Sequence, residues 1–169
     1  MEESLFLQDM GTVSLGACRT FITKDFFTEC NEDYIERFIF CRAFKKKIIP
    51  VASTTIKAKA ILLKRRKLIG PAYDSIILAK FSDPPVLSVD SFLAYLKKLI
   101  SNQPKIKEGN LLTNGYPNIF FVQLDGRIVI VDAVWSTSLL IWSLRCFEID
   151  EFSENLKGAF VFFPITTKT

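Results

Sequence analysis

Asp125-Gly126 stands between two apolar runs, residues 119–124 and 127–134. A two-residue type I′ turn needs positive φ at both central positions, and Asp-Gly supplies this at low conformational cost. The pair therefore predicts a tight β-hairpin, and with it an antiparallel sheet. Both parities of residues 127–134 are mostly apolar, which predicts a central strand covered on both faces.

Helical spacing predicts a helix over residues 31–47. Asn31 caps it, Glu32 and Asp33 fill the first turn, and Tyr34, Ile35, Phe38, Cys41 and Phe44 make one apolar face. Lys45, Lys46 and Lys47 close the last turn, and Pro50 prevents continuation. A period of two follows over 53–63, with Ile56, Ala58, Ala60 and Leu62 on one side and Lys57 and Lys59 on the other. Lys64-Arg65-Arg66-Lys67 leads into the turn signal Gly70-Pro71, and residues 73–81 read as the returning strand. The basic tetrad is thus expected at or near a hairpin tip.

A second helix is predicted over 89–101, capped by Ser88 or Asp90, with the stripe Val89, Phe92, Leu93, Leu96, Leu99 and Ile100. Residues 103–118 carry Pro104, Gly109, Asn114, Gly115 and Pro117, the signature of a long loop, and loops of that length are often functional. Residues 139–149 fit a strand and a helix equally well. Residues 150–157 suggest a short helix closed by Gly158, and 159–166 a last strand. The expected fold is α+β: a mainly antiparallel sheet of five or six strands with two main helices. By analogy of layout it is compatible with a small OB-like barrel, in one globular domain spanning residues 1–169.

The chain has no histidine, which removes Ser-His-Asp and Cys-His catalysis and the usual zinc sites. Residues 11–18 place two glycines as a phosphate loop does, but Ala17 and Cys18 stand where Lys and Ser or Thr are required. Cys18, Cys30, Cys41 and Cys146 show no C-x-x-C spacing and are expected as reduced, structural thiols. The first residues are acidic where a secretory leader is basic, and the 12-residue stretch 133–144 is too short to span a bilayer. The expectation is an intracellular protein, of nucleus or cytoplasm, without a membrane partner.

Charge is unevenly placed. Residues 1–36 balance to −6, residues 37–80 carry twelve basic side chains against Asp74 alone, and residues 81–169 balance to −1. Such a block draws in polyanions, or is answered by the acidic first segment of the same chain. The candidate nucleic-acid contacts are Lys57, Lys59, Lys64, Arg65, Arg66 and Lys67, with no special spacing required. The tetrad also reads as a short nuclear-import signal. Asp125, Asp132, Glu148, Asp150 and Glu151 are the candidates for a Mg²⁺ site, set against plain roles in turns, caps and strand ends. The many phenylalanines fit a core, while Trp135 and Trp142 are candidates for exposure to single strands or to a partner.

The leading expectation is a non-enzymatic subunit, without cofactor or metal, that binds nucleic acid through the basic region and docks on a protein partner. The alternative is a protein–protein interaction subunit without nucleic-acid contact. A metal-dependent phosphoryl-transfer enzyme ranks third.

Overall fold

The computed structural model describes residues 6–27, 38–81, 83–103, 109–151, 155 and 157–165. The first half of the chain supplies β1 (Leu7–Leu15), β2 (Cys18–Ile22), α1 (Thr23–Phe26), β3 (Phe38–Phe40), α2 (Arg42–Lys47), a 3₁₀ turn (Ile49–Val51), β4 (Thr55–Ala58), β5 (Ile61–Leu68) and α3 (Asp74–Leu78). The second half supplies β6 (Leu87–Ser88), α4 (Val89–Ser101), β7 (Asn118–Leu124), β8 (Arg127–Ser136), β9 (Ile141–Glu148) and β10 (Phe160–Pro164).

Eight strands form one mixed sheet in the order β1-β5-β10-β7-β8-β9-β3, with β6 also paired to β7, while β2 and β4 make a separate ribbon. The pairs β10–β7, β6–β7 and β3–β9 are parallel and the others antiparallel. The fold is α+β, as expected, but the main sheet has eight strands rather than five or six. It is open, ending at β1 and β3, so the closure of an OB-like barrel is not seen.

Apolar side chains cover both faces of the sheet. On one, Phe92, Leu93, Leu96 and Leu99 of α4 and Phe44 of α2 meet Phe120, Val131, Leu144 and Phe162. On the other, Ile77 and Leu78 of α3 meet Ile119, Phe121, Ile130, Val161 and Phe163. The Asp125-Gly126 hairpin forms as read, with φ of 48° and 79° and Leu124 paired to Arg127. Strand β8 is central, sending Val129 and Val131 to one core and Ile130 to the other. Helix α4 has the expected span, and the Ser88 hydroxyl accepts from the Ser91 N–H at its N-cap. The undecided stretch 139–149 resolves as β9. Among the described residues no helix is long and apolar enough to cross a membrane.

Four expectations need correction. Of the helix predicted over 31–47, residues 31–37 lie outside the described residues, and only Arg42–Lys47 is helical. Phe38 and Phe40 are buried on either side of exposed Ile39, a strand alternation that lets β3 pair with β9. Phe38, Cys41 and Phe44 suit a helix by spacing, but pairing with β9 decides the matter, and the Cys41 thiol caps α2 by accepting from the Phe44 N–H. The strand predicted over 53–63 is broken at Lys59-Ala60, where parity switches: Ile56 and Ala58 are buried in β4, yet Leu62 is exposed and Leu63 buried in β5.

Residues 73–81 do not return as a strand. They contain α3, whose first turn holds Asp74 and whose Ser75 N–H donates to the Asp150 carboxylate. Among the described residues the helix predicted over 150–157 is not found either. Asp150 has φ of 56° in a turn, Asn155 bridges to Ala72, and residues 152–154 and 156 lie outside the described residues.

Candidate nucleic-acid interface

The basic tetrad is the middle of β5, not a hairpin tip, and β5 lies between β1 and β10. Strand alternation therefore splits four consecutive cations between two faces. Lys64 and Arg66 share a face with Val161 and Phe163, whereas Arg65 and Lys67 share the opposite face with Phe162 and Phe160. Lys57 lies exposed on the β2–β4 ribbon, and Lys59 follows it, its carbonyl accepting from the Tyr95 hydroxyl. The six predicted contacts thus do not form one surface. Nor does the tetrad offer an extended free peptide for an import receptor, since all four residues are half-buried within the sheet.

Lys64 and Arg66 are answered by Asp9. Lys64 Nζ is 3.1 Å from Asp9 Oδ2, and Arg66 is the register partner of Asp9. The Gly11 N–H, 2.8 Å from Asp9 Oδ1, is the main cause holding that carboxyl below its ordinary value, followed by Lys64. The same contact sits in the β1 bulge, where the register slips between Asp9 and Thr12 and Gly11 takes φ of 85°.

Arg65 belongs to the framework. Its Nη1 donates to the carbonyls of Gly109 at 3.2 Å and Asn110 at 3.3 Å, and its Nη2 to Met10 at 3.2 Å. The guanidinium carbon lies 5.0 Å from the centroid of the Phe160 ring. Three segments meet on one planar fork, a role a lysine ammonium does not fill. Arg65→Lys is accordingly expected to lower stability by about 2 kcal/mol, the scale of lost charge-assisted hydrogen bonds. Denaturation midpoints check this, and an unchanged midpoint would remove Arg65 from the framework.

Lys67 alone of the six opens onto a groove of about 480 Å³. Met10, Leu112 and Phe160 line it with apolar surface, and Lys67, Lys157, Asn114, Tyr116 and Gly158 complete it. No carboxylate lines it among the described residues.

The loop forming one wall is pinned from three sides. The Gln103 amide exchanges two hydrogen bonds with the Leu111 backbone, at 3.1 and 3.2 Å. The fully buried Asn118 amide accepts from Leu112 N–H at 2.8 Å and donates to the Leu112 and Ala133 carbonyls. Arg65 holds Gly109 and Asn110. At the tip, Asn114 Oδ1 accepts from the Tyr116 N–H at 3.2 Å, and Gly115 takes φ of 88°.

No family model, curated protein or solved structure matches this chain. The site is therefore read from its own chemistry. Sequence reasoning found Lys67 and flagged the loop by its length, but missed Tyr116, Lys157 and the pinning amides.

The candidate carboxylates disperse into separate structural roles. Asp125 occupies the hairpin turn, and Asp132 forms a two-point pair with Arg145. Glu148 pairs with Lys47 and Arg127, and Lys47 is the first cause holding its carboxyl below the ordinary value. Asp150 caps α3, and the Glu151 carboxylate accepts from the Glu148 N–H. Among the described residues no three Cys, Asp or Glu side chains converge as a metal site would require.

Cys18, Cys41 and Cys146 carry free thiols, and Cys30 lies outside the described residues. Burial pushes the Cys146 thiol up to about 11, which makes it a poor nucleophile near neutral pH. Trp135 and Trp142 meet at a tilt of 59°, with centroids 5.2 Å apart. Trp142 is buried and Trp135 half-buried, so neither ring is a free platform.

Proposed function

We propose that this chain is a non-enzymatic, intracellular subunit that binds nucleic acid through the groove between β5, β10 and the loop before β7. The observation that carries the reading is the convergence of Lys67 and Lys157 on a groove whose lining, among the described residues, includes no carboxylate. Two cations about ninety positions apart in sequence converge there, on walls fixed by Arg65, Gln103 and Asn118. A rigid cationic rim contacts phosphates without the entropic cost of first ordering a loop. The predicted contacts narrow accordingly to Lys67, with Lys57 and Lys59 left as exposed cations elsewhere on the surface.

The test is anisotropy of labelled DNA and RNA at two salt concentrations. Wild type is expected to bind at low salt and weaken steeply as salt rises. Lys67→Ala with Lys157→Ala is expected to keep the unfolding midpoint while reducing the log–log salt slope by roughly 1.4–1.8, two phosphates' worth of counterion release. Absence of any binding at low salt would end this reading.

A second reading, docking on a protein partner, is supported by the β8–β9 hairpin tip. Leu139 and Leu140 are 61% and 49% exposed there. Leu140 also holds φ of 52°, an unfavourable region for a leucine.

A further inference from the structure

We propose that the groove takes one nucleotide of a single strand, its base laid on the Tyr116 ring and a flanking phosphate between Lys67 and Lys157. This rests on the nucleic-acid reading above and specifies its ligand.

Tyr116 is a platform built into the fold. Its ring lies against Gly158: a Cβ added there would meet ring carbons Cε1, Cδ1 and Cζ at 3.4–3.7 Å, ordinary contact distance, while the φ of 102° is what selects glycine. Bare backbone thus supports one part of the ring, and the residue remains 39% exposed. The Asn114 side-chain oxygen Oδ1, accepting from the Tyr116 N–H, and the Gly115 turn set the main chain that carries the ring. Around it the groove divides its chemistry as a nucleotide does. Met10, Leu112 and Phe160 offer apolar surface, while Lys67 and Lys157 offer positive charge.

A volume of about 480 Å³ admits a ligand of this size. Only an unstacked base can present its face to an aromatic side chain. A duplex keeps its bases inside and shows phosphates and groove edges, so this arrangement favours a single strand. Both single-stranded DNA and RNA carry the chemistry needed.

The experiment measures binding of labelled ten-nucleotide oligo(dT) and oligo(U), a duplex of equal length, heparin and free AMP. The proteins are wild type, Tyr116→Phe, Tyr116→Leu and Tyr116→Ala. Tyr116→Phe keeps the ring and is expected to stay within about two-fold of wild type on both single strands. Tyr116→Leu keeps bulk against Gly158, and with Tyr116→Ala it is expected to lose roughly ten-fold or more, the scale of one lost stacked base. Heparin and duplex binding should be unchanged by all three variants.

Oligonucleotide binding that persists undiminished in both Leu and Ala variants overturns the stacking proposal while leaving the phosphate-binding reading intact. AMP binding as tight as the decamers overturns the single-strand assignment in favour of a free nucleotide. Wild type that binds no polyanion at all ends the underlying reading and this one with it.

Discussion

Phe120→Ala is expected to lower the free energy of unfolding by about 3–5 kcal/mol, among the largest effects of a single truncation in this chain. Phe120 is fully buried in β7, register partner of Phe162 in β10 and Val131 in β8. Its ring stacks on Phe162 at 4.9 Å and 10°, and meets Phe92 of α4 edge-on at 5.3 Å. The side chain therefore joins the helix to the centre of the sheet. Truncation removes the ring and leaves a void lined by two other rings. Strands β10 and β8 are fixed by main-chain hydrogen bonds on either side of β7, so they cannot move in to fill it. Urea unfolding of wild type and variant measures the loss, with an unchanged slope confirming that the unfolded state is comparable. A deficit under about 1 kcal/mol would show that the core relaxes around the site.

The same placement explains which parts of the fold were legible in the sequence. The Asp125-Gly126 hairpin and α4 depend on local chemistry: a turn that wants positive φ, and a capped amphipathic stripe behind Ser88. Residues 38–40 and 73–81 depend on distant partners. Phe38, Cys41 and Phe44 satisfy a helical pattern until β9, about a hundred residues later, offers a strand edge to residues 38–40. Residues 74–78 become a helix where Ile77 and Leu78 meet the far core and Asp150 caps Ser75.

The basic tetrad shows the limit most clearly. Four charges in a row carry no alternation, so sequence gives no sign that Arg65 turns inward onto three carbonyls while Lys67 opens to a groove. A half-buried arginine whose Nη atoms donate to backbone carbonyls of residues 10, 109 and 110 leaves no local signature. The groove itself was half legible. Loop length pointed to residues 103–118, but nothing short of the fold joins Lys157 and Gly158 to Tyr116.

Arg145→Met is expected to cost about 3 kcal/mol near neutral pH, because it strands the buried Asp132 carboxylate. Asp132 is 4% exposed on the face that also carries Ile130, and two hydrogen bonds, from Arg145 Nε at 2.8 Å and Nη2 at 2.6 Å, satisfy both its oxygens. Burial already pushes this carboxyl above its ordinary value near 3.8, while Arg145 pulls it back. Without Arg145 the rise is unopposed. A carboxyl raised in the folded state binds protons more readily there than in the unfolded chain, so stability falls as pH rises. The deficit of Arg145→Met should therefore be small below the ordinary carboxyl value, grow as pH climbs above it, and level off once Asp132 is ionised in the folded protein. The double variant Asp132→Val with Arg145→Met removes both charges and should lie within about 1 kcal/mol of wild type at every pH, because an apolar pair of similar bulk escapes the desolvation that the ion pair carries. Unfolding curves between pH 3 and pH 8 on the three proteins decide the matter. A single variant whose deficit is independent of pH would show that Arg145 acts by packing over Phe147, 5.3 Å from its guanidinium, rather than by holding the charge of Asp132.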